Sequence, residues 1–243
     1  RSDHSIALNC IKHIYNKNLD EISVCLLDRN QEILKFLKKK KIFYIESKFD
    51  KFFNDVKSNQ YDWLLNIWGH KILKKEFLRK FKKNLNLHPS YLPYNRGRDP
   101  YYFSIMDETP IGICIHEMDA SVDRGKYYIR KKYNLSFPIT AGLVFDKCLK
   151  EIKNLFIKNW VKIRNQRISL KKYEKKISLV NKRKELIKKN FLNLDDPKNL
   201  NNKNFVLNCL AQDFKFLKQQ IKIYDKIYDV QLDLKISKKK KWK

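Results

Sequence analysis

Strand-like apolar runs alternate with helix-like stretches through the first half of this chain, and that alternation restricts the fold more than any other feature. Residues 21–27, 42–45 and 61–68, and the run ending at His88, read as strands. Between them, residues 30–40, 48–58 and 74–82 read as helices, with Ile33, Leu34 and Leu37, or Phe49, Phe52, Phe53 and Val56, on one face. Asp28 or Asn30 can cap the first of these. Such alternation predicts an α/β fold with a mainly parallel, Rossmann-like sheet. Residues 3–17 also read as a helix, with Ile6, Cys10, Ile11 and Ile14 on one side. Folds of this class open on a strand, so the expectation is that the first strand is missing. No glycine-rich dinucleotide fingerprint is present, which argues against NAD.

The chemistry concentrates between Asn84 and Gly125. Leu85 and Leu87 point one way, Asn86 and His88 the other. Pro89 must end the strand, since proline cannot donate to a ladder and restricts the residue before it. Asn86 and His88 should therefore share a face at the carboxyl end of a strand, where open α/β sheets bind ligands. A second alternating run, residues 111–118, delivers a loop with Asp119 and Asp123 before a turn at Gly125. An amide can hold an oxyanion, an imidazole can move a proton, and a carboxylate can orient the imidazole or accept the proton. Each residue also has an ordinary structural reading: Asn86 as a turn cap, His88 as a satisfied core histidine, Asp123 as a turn aspartate. His116 alternates within its strand and reads as packing, or as support for a neighbouring group.

The run Asn86-Leu87-His88-Pro89-Ser90-Tyr91-Leu92-Pro93, with Arg96-Gly97-Arg98 and then Val122-Asp123-Arg124-Gly125, resembles the folate-dependent formyltransferases. That family includes methionyl-tRNA, glycinamide ribonucleotide and sugar N-formyltransferases. The resemblance covers roughly residues 20–165 and implies a Rossmann-like formyltransferase fold. It also implies Asn86, His88 and Asp123 as catalytic residues and 10-formyltetrahydrofolate as co-substrate. The pterin would lie between the backbone of Lys71, Ile72 and Leu73 and a second wall at Met118, Ala120 and Val122. Arg96 and Arg98 would meet the substrate, since guanidinium forks suit diphosphates; their plain reading is a pair of solvated loop cations.

The motif, with the aromatic pair that follows Pro100, looks most like the branch acting on dTDP-linked amino-dideoxy sugars, of the dTDP-4-amino-4,6-dideoxyglucose type, used in surface polysaccharides. A 4-amino sugar is favoured and a 3-amino sugar comes next. Methionyl-tRNA formyltransferase is the first alternative. A non-enzymatic RNA- or partner-binding paralogue or fragment is the second.

The net charge of +28 attracts polyanions, yet the lysines are scattered rather than striped, which fits a compositional bias. Five cysteines at 10, 25, 114, 148 and 209 lack CxxC spacing and suit reduced, buried thiols in the cytoplasm. No metal is suggested by the His and Cys spacing, and no apolar run is long enough for a membrane span. Asp99 and Pro100 read as the cap and first position of a short helix. Residues 140–165 form a long amphipathic helix, with Leu143, Val144, Cys148, Ile152, Leu155, Phe156 and Trp160 inward, that also offers a homodimer surface. Two regions are expected: a catalytic domain at 1–165 and a small basic α+β appendage at 166–243. Within the latter, 191–203 reads as a connection, 203–218 as a helix, 224–234 as a hairpin or edge strands, and 235–243 as a loose basic tail.

Overall fold

The computed structural model describes residues 4–46, 49–174, 179–184, 191–193, 202–213, 218–223 and 226–234. Helix α1 (His4–Lys17) leads into β1 (Ser23–Leu26), α2 (Gln31–Lys39), β2 (Phe43–Glu46), α3 (Phe49–Asp55), β3 (Trp63–Asn66), α4 (Lys75–Leu78) and β4 (Lys83–His88). Next come β5 (Arg96–Gly97), α5 (Pro100–Met106), β6 (Ile111–His116), β7 (Tyr127–Tyr133) and the long α6 (Ala141–Arg164). The chain continues with β8 (Val180–Asn181), β9 (Phe191–Asn193), α7 (Asn202–Gln212), β10 (Gln219–Ile223) and β11 (Lys226–Val230).

Strand pairing follows the βα alternation first and then departs from it. β1 pairs with β2 and β3 with β4, both parallel. β6 and β7 extend the β3–β4 pair in antiparallel orientation, giving the order β3-β4-β6-β7. A cavity of about 820 Å³ lies between the two parallel pairs, lined by all of β1 and β3 and by Ala7, Ile11 and Ile14 of α1.

The core forms where helix faces meet the sheet. Leu85 and Leu87 of β4 and Ile113 and Ile115 of β6 are buried together with Ile6, Cys10 and Ile14 of α1. From α6, Val144, Phe145, Cys148, Ile152, Phe156, Trp160 and Ile163 join them, the three-to-four spacing of one helical stripe. Each fully buried Ile, Leu or Phe of this kind contributes about 1.5–3 kcal/mol relative to exposure. Leu143, expected inward, is exposed, because it precedes Val144 by one residue and so turns off the stripe. Thr140 caps α6 by accepting from the Leu143 N–H, and Asn30 caps α2 by accepting from Ile33.

Other local expectations change. Asp99 takes a left-handed backbone (φ 51°) with no side-chain cap bond; its carboxylate accepts from the Tyr101 hydroxyl instead, at 2.8 Å. The stretch read as a connection contains β9, parallel to β10, and the helix expected to reach 218 ends at Gln212. A hairpin does form, but from β10 and β11, so its first strand begins at Gln219. Residues 194–201, 214–217, 224–225 and 235–243 lie outside the described residues. Leu207, Leu210 and Ala211 of α7 belong to the same core as α6, and β8 pairs with β5. The carboxyl-terminal segments thus pack onto the fold that carries the motif.

Candidate active site

Three neighbouring strands end at one place, and register lines up their polar residues. Asn66 of β3 is paired with Asn86 of β4, and Asn86 with His116 of β6. His88, two residues beyond Asn86, shares its face, while Leu85 and Leu87 sink into the core on the other side. The loop after β6 then turns back. Arg96 fixes it by donating from Nε and Nη2 to the Val122 carbonyl, at 2.9 and 2.5 Å. The loop closes at Gly125, where the Glu117 N–H donates to Lys126 at 2.8 Å. Asp123 adopts a left-handed backbone (φ 48°) that aims its carboxylate at the strand ends.

Asn86, His88, His116 and the Gly97 N–H converge on that carboxylate. Oδ2 of Asp123 accepts from the Gly97 N–H at 3.0 Å and faces Nδ1 of His88 at 3.6 Å. Oδ1 accepts from Nδ2 of Asn86 at 3.3 Å and faces Nε2 of His116 at 3.5 Å. Asn86 Nδ2 also lies 3.1 Å from His116 Nε2. Because His116 Nδ1 sits 2.8 Å from the Glu117 carbonyl, Nδ1 carries the hydrogen of the neutral ring and Nε2 is the acceptor for Asn86. The amide carbonyl of Asn86 accepts from Asn66 Nδ2 at 3.0 Å. Nε2 of His88 faces the Asn95 carbonyl at 3.4 Å, so only the imidazolium can donate to both of its neighbours.

Burial sets the protonation states. Desolvation holds His88 below its ordinary pKa; the Asp123 charge opposes this, and His116 and Arg96 add to it. Burial alone would raise the Asp123 pKa. The charge of His88, the hydrogen bond and charge of His116, and the Gly97 N–H outweigh burial and hold Asp123 well below the usual carboxylate range. At neutral pH the site thus holds an ionised carboxylate beside a neutral His88.

Asn86, His88 and Asp123 are thus brought together as the motif suggested. Two partners were not singled out for the site. His116 read as packing or support, yet it touches both Asn86 and Asp123; its alternation with Cys114 placed it on a face but could not say which residues that face meets. Asn66 carried no motif signal, and only strand register brings it to Asn86.

Arg96 is buried against Val122 rather than standing at the surface as a solvated cation, whereas Arg98 is exposed. Lys71 and Ile72 are exposed in the loop after β3, Leu73 is half-buried, and His70 faces Asp28 at 3.5 Å. Across the site, the Met118 N–H donates to Asn84 Oδ1 at 2.6 Å, the Val122 carbonyl is held by Arg96, and Ala120 is exposed. His88, His116 and Asp123 also present ligand atoms within 4.8 Å of one another.

An amide donor, imidazoles and a carboxylate at the strand ends of an α/β sheet can hold an oxyanion and move a proton. The formyl transferase family model matches residues 18–159, more than half of the chain, and the chain belongs to that family. A dTDP-4-amino-4,6-dideoxyglucose formyltransferase of Mycobacterium bovis is 31% identical over 81 residues, 33% of this chain and 35% of that protein. A methionyl-tRNA formyltransferase of Rickettsia bellii is 35% identical over 80 residues, 32% of this chain and 26% of that protein. The matched stretch thus spans about a third or less of those relatives' own length.

The fold extends further than these alignments. A 4-N formyltransferase from Francisella tularensis superposes with a TM-score of 0.78 at 21% identity, covering 97% of this chain and 96% of that one. The formyltransferase PseJ from Anoxybacillus kamchatkensis, solved with a UDP-linked 4-formamido sugar and tetrahydrofolate, gives a TM-score of 0.54 at 25% identity, over 69% of this chain and 89% of its own.

Proposed function

We propose that this chain transfers a formyl group from 10-formyltetrahydrofolate to the amino group of a nucleotide-linked amino-dideoxy sugar, with Asn86, His88 and Asp123 as its catalytic residues. The observation that carries this reading is the convergence of Asn86, His88 and Asp123 at the strand ends of a chain of the formyl transferase family. The dTDP-amino-sugar relative and the neighbour bound to a UDP-sugar and tetrahydrofolate support the branch and the co-substrate.

The neutral amine attacks the formyl carbon, forming a C–N bond as the carbonyl electrons move onto oxygen. Asn86 turns one Nδ2 hydrogen from its resting acceptors to the oxyanion; a donor of this kind lowers the barrier by about 2.7–4 kcal/mol. Asp123, its pKa held low, is a poor final base. The amine proton therefore passes, directly or through water, to neutral His88, and the Asp123 charge stabilises the imidazolium. Collapse of the oxyanion breaks the bond to N10 of the folate, and the imidazolium returns the proton to that nitrogen. Protons balance, and tetrahydrofolate and the formamido sugar leave. Arg98, exposed beside Gly97, meets the diphosphate. The backbone of residues 71–73 and of Met118, Ala120 and Val122 holds the pterin.

The test is a formylation assay with 10-formyltetrahydrofolate and a panel of acceptors: dTDP-4-amino and dTDP-3-amino dideoxysugars, a UDP-amino sugar and methionyl-tRNA. Turnover of a sugar nucleotide, lost in His88→Ala, is the expected result. Turnover of methionyl-tRNA alone would overturn the substrate assignment and keep the chemistry.

A further inference from the structure

Asn86 can serve an oxyanion only if its amide nitrogen, not its carbonyl oxygen, faces the reaction centre. The two ends of an amide have nearly the same shape, so packing alone does not choose between them. Asp123 and His116 accept at the nitrogen end, and the oxygen end needs a donor of its own. At the strand ends that donor is Asn66, whose Nδ2 lies 3.0 Å from Asn86 Oδ1. The pairing is built into the sheet, since Asn66 and Asn86 are register partners across β3 and β4.

Asn66 is held from its other side by the loop after β3. Its Nδ2 lies 3.5 Å from the Gly69 carbonyl. A Cβ added at Gly69 would fall 2.1 Å from Asn66 Oδ1, so a larger residue there would push the Asn66 side chain out of its place. Trp68 just before it carries a left-handed backbone (φ 66°), a strained conformation for a bulky residue that brings the loop back over Asn66. A continuous polar path thus runs from the loop of residues 67–73 through Asn66 and Asn86 to Asp123.

We propose that Asn66 is a positioning residue: it fixes the orientation of the Asn86 amide and ties that orientation to the loop after β3. The inference rests on the formyl-transfer reading for its kinetic consequence, but the orientation itself does not. Asn66→Asp and Asn66→Ala separate this role from packing. Aspartate matches asparagine in shape, so a packing role would make it the milder change. As an orienting group it is the worse one. A carboxylate there can only accept, and it draws the Asn86 NH₂ away from Asp123 and the oxyanion.

The expected result is a kcat lower by about 10-fold in Asn66→Ala, the scale of one neutral hydrogen bond, and by about 100-fold or more in Asn66→Asp. The acceptor KM should stay within about threefold and the thermal midpoint of Asn66→Asp near wild type. Asn66→Asp as active as Asn66→Ala, or more so, would overturn the proposal.

Should the wild-type protein turn over no acceptor, the formyl-transfer reading falls first, and the orientation is read by NMR. The Asn86 side-chain amide resonances, identified by their loss in Asn86→Asp, should move further in Asn66→Asp than in Asn66→Ala. No movement in either variant would overturn the proposal.

Discussion

Nδ1 of His88 faces Oδ2 of Asp123 at 3.6 Å, with the two side chains only 7% and 13% exposed. Water screens this pair poorly, so each group sets the protonation of the other, and the consequences depend on pH.

His88 is held below its ordinary pKa by burial, so its contribution to stability is complete above about pH 6.5 and is lost as pH falls through its lowered folded value. Asp123 is also depressed, by its imidazole and N–H partners against burial; its contribution is present above about pH 3.9 and is lost as pH falls through its folded value. Both signs agree that acid destabilises the fold, in two stages. Thermal midpoints measured from pH 8 to pH 3 should show them, and Asp123→Asn should abolish the lower one. A midpoint that rises between pH 7 and pH 5 would contradict the assignment.

Under the proposed mechanism the same pair governs the rate profile. With neutral His88 as the base, kcat/KM should fall on the acid side with an apparent pKa below 6.5, and Asp123→Asn should move that limb still lower by removing the imidazolium's counter-charge. A limb unmoved by Asp123→Asn would show that the carboxylate does not stabilise the cation.

Arg96 distinguishes two roles. Its fork on the Val122 carbonyl fixes the loop that aims Asp123. Arg96→Lys keeps the charge and loses the fork, so kcat should drop about 10-fold with little change in the KM for a sugar nucleotide. A raised KM with unchanged kcat would instead mark Arg96 as a substrate contact.

Gly125 is required by close approach. A Cβ there would lie 2.0 Å from the Glu117 carbonyl oxygen, a backbone atom that cannot yield without breaking the adjacent Glu117–Lys126 pairing. Gly125→Ala should destabilise by about 3 kcal/mol or more, as large backbone clashes do. For a chain of this size that lowers the thermal midpoint by roughly 6–12 °C. A midpoint within about 2 °C of wild type would contradict it.

Trp160 tests the core separately from the site. It is buried, edge-on to Trp63 at 5.3 Å and stacked on Phe156 at 5.5 Å, so it ties α6 to the first strand of the sheet that carries Asn86. Trp160→Ala should cost about 3–5 kcal/mol of stability. Activity measured below the lowered midpoint should remain, since the residue touches none of the polar groups at the strand ends.

How much of this was legible in the sequence follows from the range of the forces involved. The βα alternation, the ends of α1, α2 and α6 and the inward stripe of α6 are local matters of period and capping, and they read well. Leu143 was the exception, since one residue of helical phase decides whether a leucine meets the core. Short-range patterns also placed Asn86 and His88 on one strand face, because alternation fixes the face and Pro89 fixes the end. The resemblance of the two separated motifs added Asp123, which no local pattern could join to His88.

Tertiary structure decided the rest. Strand register, invisible in composition or period, set Asn66 and His116 on either side of Asn86. The return of the loop after β6 made Arg96, expected beside the substrate, the clamp on Val122. It also turned Asp123 from a turn aspartate into a carboxylate held low by two imidazoles and a backbone N–H. By itself the sequence determined which polar side chains the motif offers and which strand face carries two of them. Their mutual distances, and with them the protonation states that the proposed chemistry needs, arise only when segments far apart in the chain share one desolvated site, where each charge feels its neighbours more than it feels water.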